Sequence, residues 1–81
     1  MEKRIGSALI VVADKNNIDK LNLVLSKHAQ IIIGRMGLPA RERDFSIISV
    51  IFEGTTDEVG SLTGQLGRIE GITVKSLLIK A

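Results

Sequence analysis

The feature that most constrains the fold is a pair of short segments that are apolar at both odd and even positions. Residues 5–13 read IGSALIVVA, and residues 45–53 read FSIISVIFE. Short apolar segments rich in β-branched residues are typical of buried strands. Because successive side chains of a strand point to opposite faces, each segment presents apolar residues to both faces of a sheet. A fold that contains these strands must cover both of their sides.

Two further segments show helical patterns. After the turn sequence DKNN, apolar residues recur with helical spacing from Ile18 through Leu21 and Leu25. A second helix is predicted where Thr55 is followed three residues later by Glu58, since this spacing forms a capping box. Its apolar positions lie on one face, and Gly71 is placed to end it.

Two more strands complete the pattern. Residues 31–38 (IIIGRMGL) form a strand that Pro39 ends, and residues 72–79 (ITVKSLLI) form the last strand. The order βαββαβ within 81 residues predicts an α+β, ferredoxin-like two-layer sandwich. In this fold one antiparallel sheet carries both helices on one face, and we expect residues 1–81 to form a single domain.

The apolar segments predict an assembly. In the ferredoxin-like topology the first and third strands are central, and the helices cover only one face of the sheet. The other face would then expose an apolar patch of several hundred Å2, which monomers rarely carry. We expect a symmetric homo-oligomer, either a dimer or a dimer of dimers, joined through this face or edge to edge. The alternative is that the central strands are simply hydrophobic.

Three glycines lie within the second predicted helix, although each glycine weakens a helix by about 1 kcal/mol relative to alanine. Gly60, Gly64 and Gly67 follow one another at intervals of four and three residues. They lack the loop position and the following lysine of a phosphate-binding P-loop, which disfavours that interpretation. The spacing predicts a strip without side chains that another backbone or a small ligand could approach closely.

Polar residues at two other places could contact a ligand. Arg35 interrupts an apolar strand and is followed by Met36. Arg35 is either an outward-pointing residue that protects an edge strand or a donor to a carboxylate or phosphate at a subunit interface. The first turn adds Asp14, Asn16 and Asn17 as candidate ligand or interface residues.

Composition argues against nucleic-acid binding and membrane insertion. The net charge is only +2, and the basic residues are scattered along the chain. Phe45 and Phe52 point to opposite faces of one strand, so they do not form the aromatic platform of an RNA-binding sheet. No apolar run approaches the roughly 18 to 20 residues of a membrane span, and we expect a cytoplasmic protein.

The chain also lacks the sets of residues that form disulfides, metal sites or catalytic sites. It contains no cysteine, which excludes disulfides and thiolate metal sites. His28 is the single histidine, and we expect it to be a structural residue near the first helix rather than a metal ligand. No serine or cysteine nucleophile is paired with a base in a recognisable pattern, so we predict no catalytic residue, no metal and no cofactor.

Residues 34–78, GRMGLPARERDFSIISVIFEGTTDEVGSLTGQLGRIEGITVKSLL, resemble the iron-only hydrogenase system regulators. These are small ACT-like proteins that are also similar to the C-terminal domain of the nickel-responsive repressors. The resemblance implies an ACT-like fold and a regulatory role linked to the hydrogenase system. It departs from amino-acid-binding ACT domains, which carry a Pro-Gly element where this chain has DKNN, and from the nickel repressors, which use several histidines and a cysteine.

These observations predict a non-enzymatic regulatory or ligand-sensing module that acts through an oligomer. A small ligand or a partner protein at the interface would favour one assembly over another. The alternative is a structural interaction module that binds a partner by adding a strand to a sheet edge.

Overall fold

The computed structural model describes residues 3–39 and 44–80. It confirms the predicted βαββαβ order and the ferredoxin-like fold. The four strands form one antiparallel sheet with the order β2-β3-β1-β4. The elements are β1 (Lys3–Val12), a 3-10 turn (Lys15–Asn17), α1 (Ile18–Lys27), β2 (Ile32–Leu38), β3 (Ser46–Thr55), α2 (Thr56–Gly67) and β4 (Ile72–Lys80).

The hydrophobic core lies between one face of the sheet and the two helices. Every second residue of β1 and β3 points into it, and Ile10, Val50 and Phe52 have no exposed surface. The helices contribute the apolar residues of their predicted faces. The core consists of Ala8, Ile10, Val12, Leu21, Leu25, Ile31, Ile48, Val50, Phe52, Val59, Leu62 and Leu66.

Helix α2 begins with the predicted capping box. The Thr55 hydroxyl oxygen accepts a hydrogen bond from the Glu58 backbone N–H at 3.2 Å, and Glu58 Oε1 accepts one from the Thr55 backbone N–H at 2.8 Å. These reciprocal bonds satisfy two backbone donors that have no partner inside the helix. The hydrogen bond from the Thr55 backbone, with a smaller contribution from its side chain, lowers the pKa of Glu58 below its ordinary value of 4.5.

This lowered pKa makes the Glu58→Gln variant informative about acid stability. A carboxylate with a lowered pKa in the folded state stabilises the fold above its ordinary pKa, and this contribution is lost as the pH falls through the folded value. We expect wild type to be the more stable protein at pH 7 and the difference to vanish well below pH 4.5. Urea unfolding at several pH values measures this difference. A difference that stays constant with pH would contradict the role of the charge.

The second helix ends earlier than the position of Gly71 predicts. α2 ends at Gly67, and a turn from Arg68 leads into β4. Gly71 is needed in this turn, since its φ of +79° lies in the left-handed region. A Cβ atom on Gly71 would also lie 2.8 Å from the Cβ of Asp14. The glycine therefore shapes the connection after the helix and packs against the β1–α1 turn.

The two edges of the sheet differ. β2 is interrupted by a bulge at Ile33, where the register with β3 shifts between Ile32 and Gly34. β4 pairs with β1 without interruption from Ile72 to Lys80. A bulge interrupts the pairing of an edge strand, so β2 is an interrupted edge, whereas β4, which carries Lys75 and Lys80, is a regular one.

Candidate functional site

The face of the sheet opposite the helices, which we call the open face, is largely apolar. Leu9 on β1 and Ile51 on β3 lie near its centre and are 51% and 47% exposed. The outer strands extend it with Met36 on one side and Leu77 on the other. Its apolar residues are Ile5, Leu9, Val11, Met36, Leu38, Ile47, Ile51, Leu77 and Ile79.

Polar residues interrupt the open face without covering it. Ser7 and Ser49 are small and lie on the central strands, while Lys3, Glu53 and Lys75 are the charged members. The prediction that β1 and β3 are apolar on both faces is therefore confirmed. All four strands contribute exposed apolar residues to this surface, which the helices leave uncovered.

The candidate residues of the first turn hold two loops together. Asp14 Oδ1 accepts a hydrogen bond from the Asn16 backbone N–H at 2.9 Å. The Asn17 side-chain amide donates to the carbonyl oxygen of Glu70 in the turn after α2. The side chains of Asp14 and Asn17 thus have structural roles, because both make hydrogen bonds within the chain.

Arg35 and Met36 lie on opposite faces of β2. Arg35 is paired with Val50 and lies on the helix side, whereas Met36 is paired with Ser49 and lies on the open face. Met36 is 64% exposed. Both residues nevertheless line one hollow at the margin of the open face, together with Ser49 and Ile51.

A groove separates α1 from β2 on the helix side, and Arg35 lies within it. The α1–β2 groove has a volume of about 350 Å3. Arg35 Nη2 approaches Asn22 Oδ1 of α1 at 3.5 Å. A smaller hollow of about 190 Å3 continues along α1 on the other side of Arg35. The lining of the groove is Ile18, Asn22, Arg35, Gly37, Leu38, Pro39, Ser46, Ile47 and Ile48.

The sequence of β2 explains why the groove is open. The residues of β2 on the helix side are Ile32, Arg35 and Gly37. Only Ile32 packs against the core, and no described atom lies within 4 Å of the position that a Cβ of Gly37 would take. The strand therefore lacks the large apolar side chains that would fill the space beneath α1.

The three glycines of α2 are exposed to solvent. A Cβ atom at Gly60, Gly64 or Gly67 would meet no described atom within 4 Å. The predicted strip without side chains exists, but no described part of the chain itself approaches it.

Gly64→Ala tests whether anything else approaches this strip. An alanine in an open helix position should raise the free energy of unfolding by about 0.5–1 kcal/mol, because alanine favours the helix. Thermal unfolding at fixed protein concentration measures the gain. Destabilisation or a weaker assembly in Gly64→Ala would instead show that a second chain or a ligand contacts the strip.

His28 connects the two helices. Its Nδ1 lies 2.7 Å from the Val24 carbonyl oxygen, and its Nε2 lies 3.0 Å from the Ser61 hydroxyl on α2. Since a carbonyl oxygen only accepts, Nδ1 carries a proton and Nε2 of the neutral ring accepts from Ser61. Residues 3–39 and 44–80 contain no cluster of three or more histidine, cysteine, aspartate or glutamate side chains that could hold a metal ion.

The sequence did not single out Asn22, Gly37 or the contribution of β4 to the open face. Asn22 follows Ile18 by one helical turn, and only the tertiary structure shows that this side of α1 faces Arg35. Within the described ranges, no helix has the length and apolar character needed to span a membrane.

The fold and the exposed sheet face define a ferredoxin-like α+β domain with an uncovered apolar surface. Residues 4–76 match the TM1266-like family, described as "Iron-only hydrogenase system regulator, putative", and the chain belongs to this family. The structure is similar to that of the uncharacterized protein TM1266 from Thermotoga maritima. The two are 34% identical over 98% of this chain and 100% of that chain, with a TM-score of 0.90.

More distant structures share only the fold. A nitrogen regulatory PII-like protein from Thiomonas intermedia K12, bound to ADP, AMP and bicarbonate, is 13% identical over 96% of this chain and 92% of its own, with a TM-score of 0.51. The cofactor-independent oxygenase SnoaB from Streptomyces nogalater is 14% identical over 100% of this chain and 94% of its own, with a TM-score of 0.52. None of the curated proteins matches the chain.

Proposed function

We propose that the protein is a non-catalytic regulatory module of the iron-only hydrogenase system that acts as a homo-oligomer, either a dimer or a tetramer. A small ligand or a partner protein shifts the equilibrium between its assembly states. The description of the family supports the regulatory role. The observation that supports the assembly is the open face, which carries exposed apolar residues from all four strands.

The energetics of the open face favour its burial. Removing apolar surface from water contributes roughly 2.5 kcal/mol for each 100 Å2. Specific interfaces bury about 800 Å2 on each partner, and much of this gain offsets the loss of translational and rotational freedom. Leu9, Ile51 and Leu77 are each about half exposed, so the single chain lacks the free energy that burial of their apolar surface would contribute.

The open face also has the composition of a sheet that packs on another sheet. Sheets pack about 10 Å apart with interdigitated side chains. Ser7 and Ser49 provide small positions among the larger side chains of the central strands. Glu53 and Lys75 carry opposite charges and could pair between copies at the margin. A second copy of the chain offers the same mixture of large and small residues.

Light scattering across a dilution series tests this proposal. We expect a particle mass that is a multiple of the 8.8 kDa chain at high concentration and that falls on dilution if dissociation occurs in the micromolar range. A mass of one chain at all concentrations up to the millimolar range would contradict the proposed assembly. The family membership would remain, since it does not depend on the oligomer.

The regular edge at β4 supports a second candidate function, which is binding of a partner by strand addition. β4 has nine residues in register with β1, and it contains no proline and no bulge. Leu77, Leu78 and Ile79 are exposed along it. Hydrogen exchange separates the two functions: strand addition protects every outward-facing amide of β4, whereas assembly through the open face alone leaves alternate β4 amides exchanging rapidly.

A further inference from the structure

We infer that the α1–β2 groove binds a small molecule with one carboxylate group and a short apolar body, and that Arg35 is its anchoring residue. The inference names the ligand class for the proposed function and rests on that function only for the consequence of binding. The site itself is argued from the position of Arg35, the shape of the groove and the character of its lining.

The position of Arg35 is unusual for a strand beneath helices. Residues on the helix side of a sheet are normally apolar, because they form the core. Arg35 occupies such a position opposite the fully buried Val50, but it is exposed, because β2 is an edge strand. A guanidinium group stays charged at all physiological pH values and offers five donors. Within the described residues, its polar contact is the single 3.5 Å approach to Asn22 Oδ1, which leaves most of its donors available for a ligand.

The groove has the size and the lining of a small-ligand site. Its volume of about 350 Å3 lies at the lower end of the range for small-molecule pockets. Ile18 and Ile48 provide apolar walls, and Gly37 leaves the space next to Arg35 empty. Asn22 adds an amide within reach of the same position as the guanidinium group. A ligand could therefore place its anionic group at Arg35 and its apolar body against the isoleucines.

The charge of the lining favours a carboxylate over a phosphate. Arg35 is the only charged residue among the described residues that line the groove and the adjoining hollow. One guanidinium group matches the two oxygens of a carboxylate in a bidentate pair and balances its single charge. A phosphate carries more than one negative charge at pH 7, and a single arginine leaves part of that charge uncompensated.

The groove is connected to the open face. Leu38 and Ile47 line the groove, and both belong to the apolar surface that we propose for assembly. Arg35 itself also borders a hollow of about 220 Å3 on the open side, together with Met36 and Ile51. A ligand in the groove contacts residues that form the rim of the proposed interface. Binding and assembly are then linked, and each changes the affinity of the other by the same factor.

An NMR titration with butyrate, its neutral isostere butyramide and inorganic phosphate tests the site. We expect millimolar butyrate to shift the signals of Asn22, Arg35 Nε and Gly37, with butyramide and phosphate binding at least tenfold more weakly at these residues. Equal shifts from butyrate and butyramide would overturn the anchoring role of the charge. Shifts confined to other residues would overturn the site, and tighter binding of phosphate would overturn the ligand class.

Arg35→Gln and Arg68→Gln form a matched pair of variants. Arg68 is exposed after the end of α2 and lies outside the groove lining. Loss of a charge-assisted pair should weaken butyrate binding at least tenfold in Arg35→Gln and leave it unchanged in Arg68→Gln. Equal binding by both variants would overturn the proposal.

These experiments test the proposed site and the proposed assembly independently. The same titration on Leu9→Lys, which changes the open face and leaves the groove lining intact, should again show butyrate at Asn22 and Gly37. If the wild-type chain proves monomeric while butyrate binds as described, the assembly is wrong and the site stands. The wild-type comparison of butyrate with butyramide needs no variant, so it holds even if Arg35→Gln fails to fold.

Discussion

Replacing Gly6 with alanine is expected to destabilise the fold by about 3 kcal/mol, the upper part of the usual range for overpacking a core. A Cβ atom at this position would lie 2.8 Å from Phe52 Cε1 and 2.7 Å from Leu78 Cδ2, and it would also meet the carbonyl oxygen of Leu77. Leu78 is partly exposed and can move, but Phe52 is fully buried and the Leu77 carbonyl belongs to the neighbouring strand. The strands must separate locally to admit the methyl group.

The experiment is thermal or urea unfolding of wild type and Gly6→Ala at the same protein concentration. For a domain of this size, a loss of 3 kcal/mol lowers the Tm by about 12–24 °C. Gly60→Ala is the matched control, because it is the same substitution at a position with no described atom within 4 Å. A Tm of Gly6→Ala within a few degrees of wild type would contradict the packing of Phe52 and β4 around this glycine.

Replacing Leu9 with lysine is expected to weaken self-association by at least a hundredfold. Leu9 lies near the centre of the open face and is half exposed in the single chain. A face-to-face interface would bury the new ammonium group without a partner, and a symmetric interface would contain it twice. A penalty near 3 kcal/mol corresponds to a factor of more than one hundred in the dissociation constant. The monomer should keep its stability, since surface substitutions usually change it by less than about 0.5 kcal/mol.

Leu23→Lys is the control for this variant. Leu23 is a leucine of similar exposure, at 56%, but it lies on α1 and not on the open face. Sedimentation equilibrium of the two variants should give a monomer for Leu9→Lys and the wild-type assembly for Leu23→Lys. If Leu9→Lys keeps the wild-type assembly, the chains associate elsewhere, and the regular edge of β4 becomes the first candidate.

The fold could be predicted from the sequence because its main signals are local. The alternation of helical and strand patterns gave the element order, and the spacing from Thr55 to Glu58 located the start of α2, where both reciprocal hydrogen bonds form. The apolar character of β1 and β3 on both faces could also be predicted, because successive side chains of a strand point to opposite faces. Element ends differ from the prediction by one or two residues, except at α2, where the turn from Arg68 to Gly71 follows the helix.

The candidate site was less predictable, because it depends on packing between distant segments. The bulge at Ile33 places both Ile32 and Arg35 on the helix side of β2, and no alternation pattern in the sequence marks it. The sequence predicts a close approach at the glycines of α2, whereas the glycine with the closest neighbours is Gly6, inside a strand. An isolated glycine in a strand is itself a signal of close approach, and it could have identified this position.

The proposed contact between open faces can be observed by NMR on a mixture of two samples, one with labelled and one with unlabelled methyl groups. Isotope-filtered spectra then report only contacts between different chains. The account predicts intermolecular contacts that involve the methyl groups of Leu9, Ile51 and Leu77, and none that involve Leu23. An assembled protein whose intermolecular contacts avoid the open face, or a protein that shows no such contacts at millimolar concentration, would contradict it.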